Sequence, residues 1–323
     1  MSHVGIDVAK ASFQVAFHDT QAQRWRERRF ENSRSGVLQC HRWLLNHHSQ
    51  PPALNLEATG CYSEPLACGF HELGHRLYLI NPAQAKHFAR ARLQRAKTDR
   101  LDARLLAELG NSPRTPAWQP PPQPVRTLRD LQRLLRGLQR TYGQLANRLE
   151  THDPITHDSL HRMLEHCHDE IQHTLARIAQ CISSSPSLQN NHALLHSISG
   201  VGPATCRTLL TRLPTLQRCS RPQHLVAFAG LDPRPCESGS SIQLPRHISK
   251  CGDPELRKTL YLAALSALQH NPVIREFANR QRARGLRGKA LVCAAARKLL
   301  HLIHGVLKSQ KPFNPEIPLR APG

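Results

Sequence analysis

Val4-Gly5-Ile6-Asp7-Val8-Ala9-Lys10-Ala11-Ser12-Phe13-Gln14-Val15-Ala16-Phe17 reads as two short strands meeting at a turn near Lys10, with β-branched and aromatic residues on both sides of a polar break. Asp7 places an acid inside the first strand. A buried carboxylate is costly unless it is paired or holds a metal, so this position asks for a chemical explanation. Working outward, Phe30 to Asn32 closes a third strand, and Ser35 starts an amphipathic helix through Val37, Leu38, Trp43, Leu44 and Leu45. Ala53 to Leu56 is another apolar strand, and it delivers Glu57 at its end, ahead of Ala58-Thr59-Gly60. Tyr62 to Leu73 is spaced as a helix, Arg76 to Ile80 as a strand, and Asn81-Pro82 opens the next helix. Three strands, a helix, then alternating strand and helix predict an α/β domain whose sheet gathers distant residues at one edge.

Lys97-Thr98-Asp99-Arg100-Leu101-Asp102-Ala103 sets two further carboxylates one helical turn apart, on one helix face. Around them lie Lys86, Arg90, Arg92, Arg95 and Arg104, which attract polyanions. One reading is a capped helix, with Thr98 or Asp99 as the cap and Asp102 against the positive end of the dipole. The other is a metal centre. Asp7, Glu57, Asp99 and Asp102 together suit two Mg²⁺ ions roughly 3.5 to 4 Å apart, which activate an attacking oxygen and stabilise a leaving one. Capping accounts for at most two of these four acids.

The 323 residues suffice for two or three domains, and 44 Lys and Arg against 23 Asp and Glu give a net charge of +21. That excess predicts an extended polyanion as partner, nucleic acid being the simplest. No uninterrupted apolar run is expected to span a bilayer, since Ala290 to Leu307 carries Arg297 and Lys298. The chain passes from Met1-Ser2-His3 directly into a strand pattern, so export is not expected. Ten cysteines without C-x-x-C spacing read as reduced, mostly buried thiols. His152, His157, His161, His166, His168 and His173 read as coating solvated helix faces rather than as a zinc site.

Pro113, Pro116, Pro120, Pro121, Pro122 and Pro124 form a stiff connector and a first boundary. Beyond it, Leu128, Leu131, Leu135, Leu138, Tyr142, Leu145 and Leu149 follow heptad spacing, with Arg129, Arg133, Arg136, Arg140 and Arg148 outside the seam. A second helix presents Leu160, Leu164, Cys167, Ile171, Ile178 and Cys181 on one face. An intramolecular hairpin and self-association both satisfy this pattern, and unoccupied outer faces favour self-association. Ser183-Ser184-Ser185-Pro186-Ser187 ends the arm.

Gly200-Val201-Gly202-Pro203 between two apolar helical patterns resembles a helix-hairpin-helix, whose glycines let backbone N–H groups approach a phosphate. Such loops also serve as plain turns. Further on, Leu225 to Pro233 leads into Glu237-Ser238-Gly239-Ser240-Ser241, beside Arg234, Arg246, Lys250, Arg257 and Lys258. This stretch is either a flexible polar loop or a nucleophilic serine whose basic neighbours stabilise a pentavalent phosphorus. Leu256 to Leu307 is helical and basic, broken into two helices by Gly285 and Gly288.

Gly5-Ile6-Asp7-Val8-Ala9-Lys10, Glu57-Ala58-Thr59-Gly60, Ile80-Asn81-Pro82, Lys97 to Ala103, Phe228-Ala229-Gly230-Leu231 and Glu237 to Ser241 stand in the order seen in the DEDD transposases of insertion-sequence family 110, the RNA-guided bridge recombinases, which the chain resembles over nearly its whole length. The resemblance implies a RuvC-like (RNase H-like) domain over residues 1–122, a coiled-coil arm over 123–188, and a mainly helical transposase domain over 189–323. It implies Asp7, Glu57, Asp99 and Asp102 as the Mg²⁺-binding tetrad and Ser238 as nucleophile. Lys97, Arg100, Gly200, Gly202, Arg234, Arg246, Lys250, Arg257 and Lys258 are the expected nucleic-acid contacts. It further implies a non-coding guide RNA pairing with donor and target DNA, a dimer to tetramer with acids of one subunit facing the serine of another, and residence in the bacterial cytoplasm, on the nucleoid when DNA-bound. The competing expectations are a junction-resolvase-like nuclease with water as nucleophile, a non-catalytic nucleic-acid-binding module, and an actin-like ATPase suggested by Gly5-Ile6-Asp7. The last lacks a second glycine-rich phosphate loop.

Overall fold

The computed structural model describes residues 3–58, 60, 62–93, 96, 98–110, 117–234, 237–238, 242–243 and 247–316, with backbone alone at 237, 238, 242 and 243. The chain forms two compact units, Met1–Pro120 and Pro121–Gly323.

The first unit is built on a five-stranded sheet of order β3-β2-β1-β4-β5. Its strands are β1 His3–Val8, β2 Ser12–Asp19, β3 Arg24–Glu31, β4 Ala53–Glu57 and β5 Leu77–Ile80. β1, β2 and β3 pair antiparallel, whereas β4 runs parallel to β1 and β5 parallel to β4. The third strand begins six residues before the expected Phe30. Its sequence, Arg24-Trp25-Arg26-Glu27-Arg28-Arg29-Phe30-Glu31, buries Phe30 and little else, as an edge strand can. Even-numbered β1 residues Val4, Ile6 and Val8 are buried with Phe13, Val15, Phe17 and Phe70. Helices α1 Arg34–Leu45 and α2 Ser63–Glu72 supply Val37, Cys40, Leu44, Leu66 and Ala67 to this core. Helices α3 Pro82–Ala91 and α4 Asp99–Leu109 follow β5. α3 is capped by Asn81, whose side chain accepts from the Ala83 N–H at 2.8 Å.

In the second unit, α5 Gln123–Thr151 and α6 His157–Ser183 form an antiparallel hairpin. Its direction is fixed by Cys181 Sγ donating to the Pro124 carbonyl and Cys167 Sγ to that of Leu138. Most of the heptad series is therefore used within the chain, with Tyr142 left exposed. Leu128, Leu131 and Leu135 are buried among the C-terminal helices, and Leu145 packs with Leu160 and Leu164 farther out. The helical core continues through α7 Pro186–His196, α8 Pro203–Leu210, α9 Leu213–Arg218 and α10 Pro222–Phe228, then α11 Pro254–His270, α12 Pro272–Ala283 and α13 Gly288–Ser309.

Two expectations change here. The C-terminal region holds three helices, because Asn271 ends α11 and caps α12 ahead of Pro272, while its buried amide donates to the Ser199 carbonyl. Moreover, α13 is long and apolar enough to cross a membrane by length and composition. Two thirds of its apolar window is buried, and Leu299, Leu300 and Ile303 are fully enclosed, which makes it a central core helix. The described cysteines are free thiols, with Cys40, Cys68, Cys167 and Cys206 buried and Cys251 exposed.

Candidate active site

Sheet register aligns the sequence-predicted acids. Asp7 pairs with Gln14 on β2, and Gln14 pairs with Arg29 on β3. On the other side, Ile6 pairs with Leu56, so Asp7 and Glu57 follow one step beyond on adjacent parallel strands. Residues opposed in register share a face, so Glu57, Asp7, Gln14 and Arg29 form one row across four strands. Alternation puts this row on the face opposite the aromatic core, with Gly5 and Asn55.

That face is covered by α4. A Cβ on Gly5 would collide with the Ala103 carbonyl and the Ala107 N–H. Gly110, just past the helix, would collide in the same way with the buried Asn55 amide. The helix therefore crosses from β3, where Asp99 lies, over β1 to β4. Asp102 sits one residue before Ala103 and is half-buried, as are Asp7 and Glu57. A glycine at position 5 is what lets the helix backbone approach this closely.

Thr98 is the N-cap of α4, its Oγ accepting from the Leu101 N–H at 3.3 Å, with Asp99 and Asp102 in the first turn. The capping account of this stretch is thus true of Thr98, and both carboxylates stand in the first turn beside it. Asp99 accepts from Arg29 Nη2 at 2.8 Å, and both side chains are more than half exposed. Beside this pair opens a cleft of about 920 Å³ lined by Gln14, Trp25, Glu27, Arg28, Arg29, Thr98, Asp99 and Arg100. Arg104, farther along α4, pairs with Glu27 and stands 5.4 Å from the Trp25 ring centre.

Carboxylate oxygens are the donors a hard divalent cation takes, so Asp7, Glu57 and Asp102 fit such an ion in kind. Among the described residues, no three His, Cys, Asp or Glu side chains stand close enough to hold one together. Asp99 itself is held at β3 by Arg29.

The predicted nucleophile lies in the second unit. β6 Pro233–Arg234 pairs with β9 His247–Ile248, and β7 Glu237–Ser238 with β8 Ile242–Gln243, Ser238 opposite Ile242. Among the described residues this makes a polar ribbon rather than an unstructured loop; the Ser238 side chain lies outside them. The base of the ribbon is held by Ser249, which donates to Asp232 at 2.5 Å, and by Arg257, which donates to the Ala229 carbonyl at 2.9 Å. Arg257, expected at nucleic acid, turns its Nη1 to the Ala229 and Lys250 carbonyls. Arg234, Lys250 and Lys258 are exposed, as is Arg100 in the first unit, while Lys97 and Arg246 lie outside the described residues.

Sequence reasoning missed the support beneath the ribbon. Arg212 donates to Asp253 at 2.9 Å and Glu255 at 2.5 Å, and Arg136 of the arm reaches Glu255 at 2.5 Å. Asp253 caps α11 through the Glu255 and Leu256 N–H groups. Burial works against its carboxylate, yet Arg212 and these N–H donors outweigh it and hold the pKa below the usual value. The Gly200-Val201-Gly202-Pro203 loop does open a helix, α8, with Gly202 exposed at the N-cap. Gly200 has φ +95° and packs on α11, where a Cβ would come 2.6 Å from Ala267 Cα.

Residues 4–152 match the DEDD transposase family model, and residues 192–279 match that of the transposase IS116/IS110/IS902 family. The chain is similar to the pilin gene-inverting proteins of Moraxella bovis and Moraxella lacunata, each 30% identical over 98% of both chains. It is also 28% identical to the insertion element IS110 43.6 kDa protein of Streptomyces coelicolor, over 39% of this chain and 31% of that one. These matches make the chain a DNA-rearranging enzyme. The chain belongs to the IS110 family of transposases and recombinases.

Proposed function

We propose that the protein cuts and rejoins DNA strands through an RNase H-like (RuvC-like) acidic centre and a serine nucleophile. The observation that carries this reading is the register row: Asp7 and Glu57 share the sheet face over which α4 brings Asp99 and Asp102. The proposed parts are the RuvC-like domain at 1–122, the coiled-coil arm at 123–188 and the transposase domain at 189–323.

In this mechanism Ser238 Oγ bonds to the scissile phosphorus as the bond to the strand's 3′-oxygen breaks. The phosphodiester survives as a phosphoserine ester, and a 3′-hydroxyl of another strand displaces Ser238 to reseal the DNA without ATP. An unactivated serine is a poor nucleophile at pH 7. A divalent ion such as Mg²⁺, held by Asp7, Glu57, Asp99 and Asp102, would neutralise phosphate charge and favour the alkoxide. Arg234, Lys250 and Lys258 would draw the backbone toward the ribbon, and Gly202 would offer the α8 N-terminus to a phosphate.

Acids in one unit and serine in the other suit a composite site shared between copies. The outward Leu134, Tyr142 and Met163 of the arm, all exposed, supply apolar surface for a dimer or tetramer. A guide RNA pairing with donor and target would set sequence choice, as in other RNA-guided systems, and the +21 charge suits a load of RNA and DNA. The name of the Moraxella relatives denotes gene inversion, which also cuts and rejoins DNA.

Strand exchange by the protein with its copurified RNA tests the proposal. Ser238→Ala and Asp102→Ala should each abolish exchange while RNA and DNA binding persist. A variant that still recombines removes its residue from the mechanism.

A further inference from the structure

The cleft at the α4 N-terminus continues the acid row past Asp7 and Gln14 to the edge strand. Its volume, about 920 Å³, lies within the roughly 300–1,000 Å³ of small-ligand sites. Three arginines, Arg28, Arg29 and Arg100, line it together with the indole of Trp25. Its two acids are already engaged, Glu27 by Arg104 and Asp99 by Arg29. An aromatic ring beside guanidinium groups is the chemistry that receives a base and its phosphate.

We propose that this cleft seats one nucleotide of a single nucleic-acid strand, its base against Trp25 and its phosphate on Arg29, which releases Asp99 to take it. The inference rests on the reading of the acid row as a phosphodiester-processing centre. Arg29 and Asp99 are 60% and 54% exposed, and an exposed ion pair is cheap to exchange. The Asp99 contact uses one oxygen, whereas a phosphate, which like a carboxylate can offer a guanidinium two oxygens at once, arrives with a base that also stacks on Trp25. Arrival of the strand would thereby free the fourth acid beside Asp102, tying completion of the acidic centre to occupancy by nucleic acid. Phosphate and base are common to DNA and RNA, so both sugars belong in the test.

The experiment is a tryptophan-emission titration of the full chain with single-stranded oligothymidylate or oligouridylate of about six nucleotides. Emission should be quenched by at least one of them, and Trp25→Phe should remove that quench. Arg29→Gln should move the titration midpoint to about tenfold higher oligonucleotide. Asp99→Asn should move it lower, since the competitor for Arg29 is gone. No quench with either oligomer, a quench that survives Trp25→Phe, or a midpoint indifferent to both Arg29→Gln and Asp99→Asn would overturn the inference. Were strand exchange to prove independent of the acids while the quench holds, the proposed chemistry would fail and the strand site would stand.

Discussion

Gly5 of β1 lies directly beneath the Ala103 carbonyl of α4, with no room for a Cβ between strand and helix. The contact sets how deeply α4, and with it Asp102, settles on the sheet. Gly5→Val should destabilise the first unit by roughly 1–3 kcal/mol, the usual cost of overpacking, and should suppress strand exchange beyond that loss of stability. Thermal unfolding and exchange measured on the same preparation check this. A fully active variant with native stability would show that the close approach is dispensable.

The Arg212, Asp253 and Glu255 cluster should be a stability determinant of the second unit. Arg212 is largely buried, and truncating one partner of a buried pair costs roughly 3–5 kcal/mol. Arg212→Ala should therefore lower the unfolding midpoint strongly, whereas Arg133→Ala, which removes an exposed pair with Asp130, should change it by at most about 1 kcal/mol. Denaturant titration of both variants measures the contrast.

Asp253 also gives this cluster a pH signature. Its folded pKa lies below the ordinary 3.8, so the unfolded chain binds the proton more readily. Its stabilisation is fully present above pH 3.8 and is lost as pH falls through the lower folded value. Asp253→Asn should flatten stability against pH in that acid window, as read by urea unfolding.

His75 should act at milder pH on the first unit. It is buried, donates to or accepts from His41 at 2.9 Å and contacts the Pro52 carbonyl, and burial pushes its pKa from 6.5 down to about 4. The unfolded state takes up the proton first, so stability should be highest above pH 6.5 and should fall as pH drops toward 4. The loss approaches about 3 kcal/mol at most. His75→Gln should blunt the dependence, measurable by melting at stepped pH.

Most of the first unit was legible because its strands alternate or run apolar and its helices carry visible caps at Asn81 and Thr98; α1 begins at Arg34 behind a Ser33 cap rather than at the expected Ser35. β3 reads short from the sequence because six of its eight residues are charged. Pairing with β2 places an edge strand where hydrophobicity alone does not. The acids were legible as residue types out of place, Asp7 within an apolar strand and Glu57 at a strand end. Their common face required register, which no local pattern prints. Arg29 and Asp99 are 70 positions apart, and neither charge is unusual in its own segment, so the pair was invisible in the sequence. Arg257 shows the converse difficulty. Composition marks it as basic, but only the fold reveals that its Nη1 donates to the Ala229 and Lys250 carbonyls. Of the heptad series, Leu128, Leu131, Leu135 and Leu145 are buried and Tyr142 is exposed; whether α6 or another copy covers such a face depends on how the chain turns near Pro154, which heptad spacing does not print.

The central claim, that a serine in the second unit attacks phosphorus under the direction of acids in the first, is tested most directly by trapping the intermediate. The protein with its copurified RNA is mixed with donor DNA and divalent metal, denatured rapidly, and digested for mass spectrometry. The account predicts a nucleotide-linked peptide modified at Ser238, absent from Asp102→Ala and from metal-free samples. Metal-dependent cleavage that leaves no protein on the DNA would contradict it and assign the attack to water.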